Sequence, residues 1–64
     1  MSIYNISTIN ENGKKLYFNR DYCFWSEKFA TEYKGKRAAL DGLDYAKKCA
    51  SNQIFIDNMK IEKQ

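Results

Sequence analysis

Sixty-four residues allow a single domain, 1–64, and leave no room for a second. Aromatic residues at 16% are too many for a disordered tail, and no apolar run approaches the roughly 20 residues that span a bilayer. A net charge of +3 with a pI near 8.9 falls short of a dedicated nucleic-acid binder, and it excludes an acidic DNA mimic.

The first predicted element is a strand over Ile3–Ile9. Ile3, Asn5, Ser7 and Ile9 share one face, and Tyr4, Ile6 and Thr8 share the other. Asn10-Glu11-Asn12-Gly13 follows, and its Asn-Gly pair is the strongest short hairpin signal because both residues tolerate positive φ. Lys14 to Asn19 then reads as the returning strand, with Leu16 and Phe18 opposite Lys15 and Tyr17. Asn19-Arg20-Asp21 is a second turn, and Tyr22-Cys23-Phe24-Trp25 a short third strand or the rim of the core.

The main helix is predicted after Gly35, over Lys36–Ala50. Its apolar stripe is Ala39, Leu43, Ala46 and Ala50, widened by Leu40 and Cys49. On the other face, Arg37–Asp41 and Asp44–Lys48 are opposite charges at i,i+4, so that face neutralises itself. Gly42 costs about 1 kcal/mol against alanine inside a helix, and a close approach of helix to sheet would account for it. Gln53 to Ile61 reads as a last strand, covered on both sides in its first half, and Glu62-Lys63-Gln64 as a frayed end. The expected fold is therefore α+β: a small antiparallel sheet of three to four strands with one helix on one face, in the order β-β-(β)-α-β.

A domain this small buries only about 60% of its unfolded surface, so disulfides, a metal or an oligomeric interface usually help. Without histidine, a metal site would need carboxylates plus two thiolates, so no metal and no cofactor are expected. Met1 to Ile9 is too short and too polar for a signal peptide, which places the chain in a reducing cytoplasm. There Cys23 and Cys49 are expected as buried thiols, ahead of a Cys23–Cys49 bridge. A homodimer is the device that stays open.

Catalysis has little to work with. No histidine is present, no nucleophile has a neighbouring base, and Gly35 and Gly42 form no phosphate loop. The reading is a binding protein and not an enzyme.

Three features offer binding chemistry. On an open sheet face, Lys14, Lys15 and Tyr17, with Tyr4 nearby, would stack bases and pair phosphates. The plainer alternative packs Tyr4 against Tyr17 across the strands. A second basic cluster, Lys34, Lys36 and Arg37, opens the helix against its dipole and hints at an anionic partner; the plainer alternative is a solvated turn. Last, Arg20, Tyr22, Phe24, Trp25, Phe29 and Tyr33 combine the residue types that dominate protein interfaces. Two readings of that segment stand, a partner-binding patch and the core of an alanine-rich helix.

The hairpin, the segment around Trp25, Ala30-x-x-Tyr33, the alanine-spaced helix and the closing strand resemble small accessory proteins of tailed bacteriophages. Characterised members bind and block a bacterial machine such as a CRISPR complex, another defence enzyme, a nuclease or RNA polymerase. The resemblance implies a stoichiometric inhibitor acting in the host cytoplasm. It carries over no functional residue, because it rests on spacing alone.

Overall fold

The computed structural model describes residues 2–64. Five strands form one antiparallel sheet: β1 Ile3–Ile9, β2 Lys15–Asn19, β3 Phe24–Ser26, β4 Tyr33–Lys34 and β5 Lys60–Lys63. Two helices, α1 Lys36–Cys49 and α2 Gln53–Asn58, lie between β4 and β5 in the chain. The architecture is the expected α+β sheet with one main helix packed against it. A two-residue β4 and the short α2 are additions to the expected order.

β1 is the centre of the sheet. Ser7 is paired with both Tyr17 of β2 and Lys60 of β5, and Tyr4 with both Tyr33 of β4 and Lys63 of β5. Because a strand has two edges, β5 must run along one of them, with β2 and β4 sharing the other end to end. β3 extends the sheet beyond β2 through Phe18↔Trp25. This double flanking explains the unbroken burial of Asn5, Ile6, Ser7 and Thr8.

The β1–β2 turn follows the Asn-Gly signal with one change. Gly13 alone takes the left-handed conformation (φ 79°), while Asn10 caps the loop by accepting from the Asn12 and Lys14 amides at 2.9 Å.

The core lies on the helix-facing side, where Ile6, Phe18, Tyr33, Ala39 and Ala46 are buried. Tyr4, Trp25, Leu43, Met59 and Ile61 pack around them. Tyr4 therefore points to the helices, whereas Tyr17 lies opposite Ser7 on the other face, so the two tyrosines do not meet. Gly42 is buried and presses on the Tyr33 ring, which is the close approach its place in the helix suggested.

α1 begins at Gly35, whose φ of 88° suits glycine, with no side-chain cap and no acidic residue in the first turn. Lys47 and Lys48 in the last turn complement the helix dipole. Leu40 and Cys49, expected to widen the buried stripe, are exposed, since small residues at 39, 42 and 46 seat the helix on a narrower line. Arg37–Asp41 and Asp44–Lys48 are not among the ion pairs of the described residues, which are Lys14–Glu27, Lys15–Glu62 and Lys60–Glu62.

The predicted strand over Gln53–Ile61 is corrected. Its first half is α2: the Asn52 side chain caps it by accepting from the Ile54 backbone amide at 2.9 Å, and the Gln53 side-chain amide donates to the Asp57 carboxylate at 2.8 Å. Ile54 is 39% exposed, against the expected cover on both sides. The expected frayed end is strand β5. Past it, the Gln64 amide donates to the Ile3 carbonyl at 2.8 Å and its side chain to Asn5 at 2.7 Å.

The face away from the helices is roofed by long side chains. Lys15 is opposite Ile9 and Glu62 opposite Asn5, so their 2.6 Å ion pair crosses β1 above Ser7. Ser7 is fully buried there, and its hydroxyl has no hydrogen-bond partner.

Candidate functional site: the turn from Arg20 to Phe24 and the end of the main helix

The Arg20–Cys23 turn joins β2 to β3 and is fastened by side chains from both flanks. Thr31 accepts from the Arg20 amide at 2.8 Å, and Asn19 accepts from the Tyr22 amide at 3.3 Å. The turn closes with Cys23 in the left-handed region (φ 52°), a conformation that non-glycine residues seldom adopt.

This geometry separates the neighbouring side chains. Trp25 faces the core, between Phe18 (centroids 5.1 Å apart) and Phe55 (5.7 Å). Phe24, its strand neighbour, faces the opposite way, where its ring stands 6.0 Å from that of Tyr22. Tyr22 is 76% exposed, Phe24 38% and Phe29 64%.

Cys23 points to the helix. Its sulfur lies 3.1 Å from the Tyr45 hydroxyl and 3.3 Å from the Cys49 sulfur, both on the last turns of α1. The Arg20 guanidinium sits 5.7 Å from the Tyr45 ring centroid, and the Tyr45 and Phe18 rings meet edge to face with centroids 6.1 Å apart. Both thiols are exposed, which corrects the expectation of buried cysteines: they sit at a turn and a helix end, where no further layer covers them.

The electrostatics of the three acids are unequal. The Tyr45 hydroxyl and then the Cys49 thiol, both bonded to the Cys23 sulfur, hold Cys23 below the usual thiol range. Desolvation and then the bond to Cys23 push Cys49 up. Tyr45, bonded to Cys23, is pushed up to about 12. Cys23 is thus the more acidic of the two thiols, and Cys49 and Tyr45 hold their protons to higher pH.

Of the six aromatic-segment candidates, Arg20, Tyr22, Phe24 and Phe29 are exposed, Trp25 is half-buried, and Tyr33 is 4% exposed in the core. The segment is therefore divided, with Trp25 and Tyr33 serving the core and the others the surface. Among the described residues no ring pair joins Phe29, in the β3–β4 loop, to Tyr22, Phe24 or Tyr45. Cys23 and Cys49 were paired in the sequence only as the less favoured bridge, and Tyr45 was not read as their neighbour. The i,i+4 spacing of Tyr45 and Cys49 was visible, but the contact with Cys23 spans 26 residues of chain.

The basic candidates do not converge. Lys14 is tied to Glu27, and Lys15 to Glu62, with Lys15 also 5.5 Å from the Tyr17 ring centroid. Lys15 lies opposite Ile9 and Lys34 opposite Ile3, so the hairpin cluster and the Lys34, Lys36, Arg37 cluster stand about 20 Å apart along β1. The described residues enclose no pocket, and none of their helices is long and apolar enough to cross a membrane. No protein-family model, curated protein or solved structure matches the chain.

Proposed function

We propose that this chain is a non-catalytic binding protein that docks on another protein through the surface of the Arg20–Phe24 turn. The observation that carries the reading is the exposed Tyr22–Phe24 ring pair, held on a turn that backbone and side-chain bonds pin in place. Aromatic rings and arginine supply most of the energy in protein interfaces, and a pre-ordered turn loses little entropy on docking. Two large rings left in water on a 64-residue chain are otherwise a cost.

The proposed partner class follows the resemblance to phage accessory proteins: a bacterial protein machine, such as a defence complex, met in the host cytoplasm. Blocking such a machine needs only a stable contact, which suits a surface whose described residues enclose no pocket. A nucleic-acid partner is less well served, since Lys14 and Lys15 are engaged by carboxylates and stand far from Lys34, Lys36 and Arg37.

Pull-down from bacterial lysate tests the reading, with the wild-type chain beside Tyr22→Ala and Phe24→Ala. The expected result is one protein retained by the wild type and lost by both variants. Retention of nucleic acid alone, released as salt rises, would overturn it in favour of the basic clusters. Burial of Tyr22 and Phe24 in a homodimer, read by light scattering, would overturn it as well.

A further inference from the structure

Two exposed sulfurs 3.3 Å apart, from a turn and from a helix end, are in van der Waals contact, so a small movement brings them to bonding distance. They differ in role. Cys23 accepts from the Cys49 thiol and also lies within hydrogen-bond distance of the Tyr45 hydroxyl, at 3.1 Å, so two polar partners converge on one sulfur. The Arg20 guanidinium on the Tyr45 ring adds positive charge close by. Thiolate character combined with solvent access is the environment of a reactive thiol, whereas structural cysteines are buried and inert. A resolving thiol already in contact is the other requirement for rapid disulfide exchange.

We propose that Cys23 and Cys49 form a redox-active dithiol that exchanges with small disulfides of the glutathione type and closes to an intramolecular bond. The Cys23 thiolate attacks one sulfur of the small disulfide; a Cys23–S bond forms, the S–S bond breaks, and one thiolate leaves. Cys49 then gives up its proton and attacks the Cys23 sulfur, displacing the second thiolate. Two electrons pass from the protein thiols to the small disulfide, and the two released thiolates take up the two protons. The reaction needs no oxidant beyond that disulfide, and it stands whether or not the turn docks on a protein.

The test uses the whole reduced chain with oxidised glutathione, followed by intact mass and non-reducing peptide mapping. The wild type should lose two hydrogens and yield one crosslinked peptide joining Cys23 to Cys49. Cys49→Ser, whose new hydroxyl keeps the exposed site polar, should stop at a single glutathionyl group on Cys23. Cys23→Ser should be modified at Cys49 at least several-fold more slowly. Glutathionyl groups accumulating on both cysteines of the wild type would overturn the proposal, as would equal rates in the two serine variants. The wild-type map stands by itself if a variant fails to fold.

Discussion

The ring of Tyr33 rests on Gly42 so closely that a methyl group placed on the glycine would stand 2.5 Å from it. That contact sets the distance between α1 and the sheet, and it makes glycine worth its helical cost. Gly42→Ala should lower stability by about 1–2 kcal/mol in chemical denaturation, overpacking outweighing the gain in helix propensity. The Tyr33 hydroxyl is buried without a partner, so Tyr33→Phe should leave stability unchanged or raise it by up to about 1 kcal/mol. A gain in stability from Gly42→Ala would show that the helix has room to move.

Thr8 is fully buried, and its hydroxyl donates to the Phe55 carbonyl at 2.7 Å, tying α2 to the central strand. Thr8→Val keeps the shape and strands the carbonyl, which should cost about 1–2 kcal/mol. Amide exchange in residues 53–58 should accelerate while that of α1 stays unchanged. Uniform acceleration through both helices would contradict this local role.

The thiol pair should show in pH dependence. Alkylation of Cys23 by iodoacetamide should have its midpoint below the 9.0 of an ordinary thiol, with Cys49 reacting at higher pH. Tyr45→Phe should move the Cys23 midpoint upward, because it removes the leading hydrogen bond to the thiolate. For stability the signs are opposite. Cys23, lowered in the fold, favours folding above 9.0 and loses that contribution as pH falls through its folded value. Tyr45, raised from 10.0 to about 12, contributes below 10.0 and loses it as pH rises toward 12. A Cys23 midpoint at or above that of Cys49 would contradict the geometry.

Closing the Cys23–Cys49 bond would tether the β2–β3 turn to the end of α1. For a loop of this length the chain-entropy model gives up to about 3.5 kcal/mol, which in a domain this small shifts the midpoint of thermal melting by about 10 °C or more. Melting of oxidised and reduced protein by circular dichroism checks it. An oxidised form that melts lower than the reduced one would mean that bonding distorts the turn.

Local signals made some of this fold legible and long-range contacts hid the rest. The β1–β2 hairpin followed from alternation and Asn12-Gly13, and α1 from its alanine spacing with Gly35 before it. Residues 53–61 misled because Ile54-Phe55-Ile56 is an apolar run that suits either element. The deciding signal was the Asn52 cap, followed by the Gln53–Asp57 bond. β4 and β5 owe their pairing to β1, a partner distant in sequence, and Lys60–Lys63 alone carries little strand propensity. At the candidate site, the sequence left the rings of residues 22–33 open between surface and core, and alternation had to decide which of them turned inward. Phe24 and Trp25 fell on opposite faces, and Tyr33 was claimed by Gly42.

The most direct test of the binding account is the affinity of the retained bacterial protein for the wild type, Tyr22→Ala and Phe24→Ala, at low and high salt. Interface hot spots cost about 2 kcal/mol or more on truncation, a loss of roughly thirtyfold. The account predicts such a loss in each variant, with melting temperatures unchanged and only a shallow dependence on salt. Undiminished affinity in both variants, or binding that collapses as salt rises, would contradict it.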